Sequence, residues 1–398
     1  MNNLKILFSV FFLGFIFFVG RAQELNEKSN TPIVYSPKVV IEKMPSKVSE
    51  TSGLIFFREG FWTLNDSGGD AEIYKLSPKT GRVIQVITLD KIKNIDFEDL
   101  TQDEDYVYVG DFGNNNGNRK DLCIYKIAKK DIPKRKDALV KAKRIRFKYS
   151  DQQDYTRKRY SSNFDCEAMI SFDDKLYLFT KNWVNGKTKV YSVPKKKGKY
   201  SLQMIEEFAV DGLVTAADYS PDKGRLCILG YKDYMPFAWF FWDFKKDHFF
   251  NGEMQRLEFE NIYGAQTEAV TSNEVGDIII SCEKSYFPQR LYQIPNKDIT
   301  KKGFEKARQI VSIGINSSSK FDLLSESIKM TVNGLELGSF SVEILDQNWN
   351  SEKTISFKKL EIGTETVLIP AKRLKDGKYY LRVEQDELTK VNQIFIKR

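Results

Sequence analysis

One unit recurs along this chain, and it leaves few architectures open. A polar or acidic triplet begins a strand at Ser52-Gly53-Leu54, Glu98-Asp99-Leu100, Glu167-Ala168-Met169, Ala217-Asp218-Tyr219 and Glu268-Ala269-Val270, at intervals of 46, 69, 50 and 51 residues. A second apolar strand follows each triplet after a short polar turn, as in Tyr106-Val107-Tyr108-Val109. In four of the five units a third strand then carries a lone tyrosine: Tyr74, Tyr125, Tyr191 and Tyr292. Units of roughly fifty residues with four short strands and almost no helical periodicity predict propeller blades, which cannot bury both faces alone and must stack in a ring. The strand at residues 38–43 precedes the first triplet and is placed to complete the last blade, which would close the ring through the chain ends. The expected fold is all-β, a five-bladed β-propeller, or six-bladed if the 69-residue interval hides another unit. After residue 315 the repeat stops, and the alternating segments that follow predict a small C-terminal β-sandwich. The expected divisions are a signal peptide over 1–22, the propeller over 23–314, a linker over 315–328 and the sandwich over 329–398.

The start of the chain is read as an export signal. Lys5 precedes an apolar run over residues 6–19, and Gly20-Arg21-Ala22 supplies the small residues of a cleavage site. That run is short for a bilayer span, and no later one approaches membrane length. A secreted or outer-surface protein without a transmembrane segment is expected. Of 62 basic and 54 acidic residues, Lys5 and Arg21 leave with the signal, so the net charge falls from +8 to +6. The excess is densest over residues 129–148, where a contact with nucleic acid or an acidic glycan competes with a solvated edge strand, Ile145, Phe147 and Tyr149 alternating with Arg144, Arg146 and Lys148. Export removes most nucleic-acid partners, so none is expected. Cys123, Cys166, Cys227 and Cys282 each lie in a strand of a different repeat, which predicts buried free thiols and not paired cysteines.

A propeller gathers its strand starts around one axis, so Glu98, Glu167 and Glu268 should converge at one end of the channel, with Asp99 and Asp218 beside them. Second strands end near the same mouth in Asp66, Asp111, Lys181, Glu283 and Lys284. The loops at residues 65–70 and 111–118 offer carboxylates, amide oxygens and glycine bends, the ligands calcium takes, although the same residue types also satisfy tight turns by themselves. The expected calcium ligands are Glu98, Glu167, Glu268, Asp66 and Asp111. Asp99, Arg119, Asp218 and Glu283 are the expected ligand contacts, and Glu167, Lys181 and Lys284 the catalytic candidates. With His248 the only histidine, His-based triads and two-His metal sites are excluded, and neither a G-x-S-x-G elbow nor a phosphate-cradling loop occurs. The aromatic run at 231–244 is read as packing between blades rather than as a sugar-stacking platform.

The blocks E-T-S-G-L, N-D-S-G-G-D, D-F-E-D-L, Y-V-G-D-F-G-N-N-N-G-N-R, D-C-E-A-M, T-A-A-D-Y-S-P-D and T-E-A-V resemble a family of exported Bacteroidota propellers, distantly similar to phytase-like and SMP-30-like calcium propellers. The resemblance spans residues 40–313 and implies an acidic channel that binds calcium. The tail, with Ile369-Pro370 and the closing Gln393-Ile394-Phe395-Ile396-Lys397-Arg398, resembles C-terminal sorting domains of the type IX secretion system, which implies a contact with export machinery. Two functions are expected. The first is an exported binding module whose mouth recognises a glycan, a peptide or an anionic small molecule. The alternative is a calcium-dependent hydrolase of phosphoesters or lactones, in which Lys181, Lys284 or Arg119 steadies the anionic substrate.

Overall fold

The computed structural model describes residues 32–285, 287–300, 303–304, 316–322, 326–333, 338–359, 365–385 and 388–397. The signal-peptide reading of 1–22 lies outside the described residues. Five sheets, each built on four antiparallel strands, are arranged around an axis, and their innermost strands are Thr51–Phe56, Phe97–Gln102, Asp165–Phe172, Leu213–Ser220 and Thr267–Ser272. Each inner strand touches the next, and the fifth touches the first, so the ring closes at five blades.

The surplus of the 69-residue interval does not make a sixth blade. Part of it forms Ala138–Val140, which adds in parallel to the outer strand of blade 1, Val83–Leu89. The remainder includes a loop at residues 150–164 that leads into blade 3. Closure at the chain ends follows the expected plan. Lys38–Ile41 pairs antiparallel with Arg290–Ile294 as the fourth strand of blade 5, while Ile33–Val34 pairs with Glu253–Glu258 on blade 4.

Strand alternation supplies each blade with two apolar faces, and each seam between neighbouring blades carries its own cluster. Trp62, Phe97 and Val109 fill the first seam, and Tyr108, Phe147 and Tyr191 the second. Phe179, Trp239 and Phe241 fill the third, so the aromatic run of blade 4 is packing, as expected from its third-strand position. Phe240, Ile280 and Tyr292 fill the fourth, and Ile41, Met44, Leu54 and Leu76 the fifth, where first and last blades meet. A fully buried side chain of this size contributes about 1.5–3 kcal/mol, which is why blades are stable only as a ring. The four cysteines are buried free thiols, one in each of blades 2 to 5.

Beyond the propeller, Asn316–Asp322, Ser327–Asn333 and Glu365–Pro370 form one sheet, and Ser351–Lys359, Gly338–Leu345, Gly377–Gln385 and Leu388–Ile396 a second. Ile328, Met330, Val342, Ile369 and Leu381 fill the space between them as a separate core. Asn316–Asp322 falls within the segment read as a linker. The sandwich rests on the propeller through Trp349 and Tyr380, packed on Tyr263 just ahead of the fifth inner strand, and through an ion pair of 2.6 Å between Lys390 and Glu260. Among the described residues no helix is long and apolar enough to cross a membrane.

Candidate functional site

All five inner strands break register at the same level. Pairing with the second strand slips between Ser52 and Leu54, Phe97 and Asp99, Cys166 and Ala168, Val214 and Ala216, and Thr267 and Ala269. A bulge of this kind re-aims one side chain, and in blades 2, 3 and 5 the residue caught in it is a glutamate: Glu98, Glu167 and Glu268. Blade 4 has Thr215 there. The expected triplet Ala217-Asp218-Tyr219 is therefore displaced by two residues. Lacking an acid at its bulge, blade 4 aligns by composition on the next acid along the strand. Asp218 sits deeper in the channel and accepts a 2.7 Å bond from the Ser272 hydroxyl. In blade 1, Ser52 at the slip donates its hydroxyl to the Glu98 carbonyl, and Gly53 has φ +44° with its Cα so close to blade 2 that a Cβ would strike Asp99 and Leu100 backbone.

Three carboxylates come together where blades 1 and 2 meet. Oxygens of Asp66, Asp96 and Glu98 all lie within 4.8 Å of one another. Asn94 fixes their relative positions, because its amide donates to the carbonyls of Asn65 (3.1 Å) and Asp66 (2.5 Å) while its side-chain oxygen accepts from Phe97 N–H at 3.0 Å. One side chain thus ties the end of blade 1's second strand to the start of blade 2. Asp96 lies in the bend just ahead of the strand, two residues before Glu98, and the bulge at Glu98 brings their carboxylates together. The sequence signal for Asp96 was present in the paired acids D-F-E and D-C-E of blades 2 and 3. Gly113 closes the cradle, since a Cβ there would collide with Glu98 Oε1 and Asp96 Oδ2. Glu98 is 4% exposed, and its Oε1 has no hydrogen-bond partner.

The electrostatics follow from this crowding. Burial raises Glu98 well above the ordinary carboxylate range, and Glu167, Asp66 and Asp96 push it further. Asp96 is raised to about 7 by burial and by Asp66, against the pull of Arg119. Burial also raises Asp66. Across the mouth, burial holds Glu268 at about 7 despite Lys181, and burial with Glu268 and Asp66 nearby holds Glu283 at about 8.

Lys181 is a cation buried inside this group. Its ammonium lies 3.3 Å from Glu167 Oε1 and 5.0 and 5.4 Å from the ring centres of Trp183 and Tyr231. Burial disfavours its charge, but Glu167, Tyr231 and Glu268 hold its pKa well above the ordinary value.

The remaining candidates divide by position. Asp111 is bound by Arg119 at 2.8 Å, and Arg119 also reaches Asp121 and the Gly113 carbonyl, so this pair fastens the loop that covers Glu98. Asp99 is fully buried and accepts backbone N–H groups of Leu100 and Met169 at 2.7 Å each, with a further backbone bond from Ala217. It joins three inner strands and does not face the mouth. Glu283 is half-buried at the mouth and accepts from Gln266. Lys284 is exposed, with its backbone N–H bonded to Ser49 O at 2.7 Å.

No family model matches the chain, and no curated protein matches it. Among solved structures it is similar to the PorZ surface component of the type IX secretion system of Porphyromonas gingivalis, with 11% identity and a TM-score of 0.32, over 87% of this chain and 45% of PorZ. It therefore spans less than half of that protein. Regucalcin of Agrobacterium tumefaciens, a calcium-binding protein, matches at 9% identity and TM-score 0.36 over 66% of this chain and 95% of its own. An exported protein of Bacteroides fragilis matches at 10% identity and TM-score 0.34, over 71% and 96% of the two chains.

Proposed function

We propose that the acidic end of the channel binds a divalent cation, calcium by its donor set, and that the protein is an exported binding module whose mouth recognises an extracellular ligand. The observation that carries this reading is the orphaned Oε1 of Glu98, buried among the carboxylates of Asp66 and Asp96. Buried oxygens of one charge are stable together only with protons or a cation between them. An all-oxygen set of carboxylates suits a hard ion, and calcium tolerates irregular geometry that magnesium does not. Asp66, Asp96 and Glu98 would hold the ion. Bound there, it would supply positive charge to a carboxylate, phosphate or vicinal diol of an incoming glycan, peptide or small anion. The sandwich serves export or anchoring, in keeping with its tail sequence.

Thermal melting tests the site. Calcium at about a hundred times its dissociation constant should add roughly 2.7 kcal/mol of stability over chelator-treated protein. Glu98→Gln should remove that gain without lowering the melting temperature in chelator. Equal melting of the wild type with calcium and with chelator would refute the ion site. A second reading, a calcium-dependent hydrolase of phosphoesters or lactones, is favoured by the buried Lys181–Glu167 pair across from the three carboxylates. Turnover of generic phosphoester and lactone substrates, abolished by Glu167→Gln with the calcium response retained, would select it over the binding module.

A further inference from the structure

On the outer side of blade 1, the segment that carries Ala138–Val140 lies along Val83–Leu89 and leaves a cleft of about 570 Å³. Arg58, Lys75, Lys134 and Arg135 line it, with Glu59 as the one acid and Gln85 in its wall. Among the described residues no carboxylate pairs with any of those four cations.

Two of the cations are held in place by neutral groups. Arg58 donates to the carbonyls of Ile132 (2.7 Å) and Lys129 (3.0 Å), and Lys75, 9% exposed, donates to the carbonyl of Arg58 at 2.8 Å. Arg58 and Glu59 form the turn that presents them, at φ +50° and +56°, a region uncommon for residues with side chains. Gln85 is 2% exposed. Its amide donates to Pro133 O and Lys136 O, fastening the basic segment to the blade, and its Oε1 is buried with no hydrogen-bond partner.

We propose that this cleft is a second ligand site, separate from the acidic mouth, that takes an acidic saccharide through its sulfate or carboxylate groups. Four cations against one acid attract an anion, and Arg58 and Arg135 add planar forks that suit sulfate or carboxylate oxygens. A free inorganic anion answers only part of the site. The cleft is many times the roughly 30 Å³ that one water occupies and larger than one tetrahedral anion fills, and Gln85 Oε1 calls for a donor that sulfate lacks and a sugar hydroxyl supplies. The basic stretch at 129–148 thereby acquires a role beyond solubility at its first half, while Lys143–Tyr149 remains a strand of blade 2.

The test uses the full chain with a fluorescent sulfated uronate–glucosamine octasaccharide at low ionic strength, where surface charge is least screened. The wild type should bind it, the double substitution of exposed residues Lys134→Ala with Arg135→Ala should weaken binding about ten-fold, and the calcium response of the mouth should be unaltered. Inorganic sulfate at the same sulfate concentration should not displace the octasaccharide. Absence of binding, equal binding by the double variant, or complete displacement by equivalent sulfate would each overturn the proposal, the last by reducing the cleft to a simple anion site.

Discussion

Glu98 and Glu167 occupy the same bulge in neighbouring blades, and burial raises both above the ordinary carboxylate range, yet their surroundings differ. Glu167 has Lys181 at 3.3 Å, a cation supplied by its own blade. Glu98 has Asp66 and Asp96 beside it, and its Oε1 is left without a partner. One position in the repeat is thus paired with a cation of its own blade, while the other is set among further carboxylates. The contrast shows that the repeat fixes where a carboxylate points, and that residues at the second-strand ends set its surroundings. At those ends blade 1 offers Asp66 and blade 3 offers Lys181.

The largest effect should come from abolishing the internal answer. Lys181→Met leaves Glu167 buried without its cation and should cost about 3–5 kcal/mol in chemical denaturation with chelator present. Adding Glu167→Gln should recover most of the loss. If Lys181→Met alone unfolds at the wild-type denaturant midpoint, the two blades are not differently stabilised and the contrast fails.

A moderate effect should appear with pH. Glu268 and Glu283, ordinarily near 4.5, are raised by burial to about 7 and about 8 in the folded protein. An acid whose folded pKa exceeds its unfolded value keeps its proton in the fold after the unfolded chain has lost it. The folded state then loses stability as pH rises from about 4.5 to about 8, and no further above that. Melting temperatures in chelator should fall across this window, and Glu283→Gln should flatten the upper part. A melting temperature that rises between pH 6 and 8 would contradict the assignment.

The smallest effect is expected deeper in the channel. Asp218→Asn keeps the hydroxyl contact with Ser272 and lies away from both blades' bulges, so it should alter the calcium response by less than about 0.5 kcal/mol. A large change would place Asp218 at the mouth, as the composition-based alignment had it.

Architecture was legible because strand alternation and unit length are local properties. Five units, their inner strands and closure by Lys38–Ile41 all follow from patterns a few residues long. The site was legible only in part. Glu98, Glu167 and Glu268 stand out because acids recur at strand starts, and Asp66 because it follows the end of a second strand. Asp96 stands outside the recurrence of single acids at strand starts, and only the bulge at Glu98, which no local pattern announces, brings the two carboxylates together. Asp111 ends a second strand, and nothing in the sequence reveals that Arg119, eight residues later, folds back on it. Asp99 looked equivalent to its neighbour Glu98, but the bulge turns one carboxylate to the mouth and leaves the other to bind backbone N–H groups across three blades.

The pairing of Lys38–Ile41 with Arg290–Ile294 has a kinetic consequence. The partners are some 250 residues apart, so a chain emerging from the ribosome carries an unpaired edge until its fifth blade has followed. Blades 1 to 4 can collapse during synthesis, but they remain an open arc whose exposed strands invite association with other chains. Ring closure is therefore the late, irreplaceable step of maturation, and a substitution at Ile41 or Met44 should show itself first as aggregation of newly made protein.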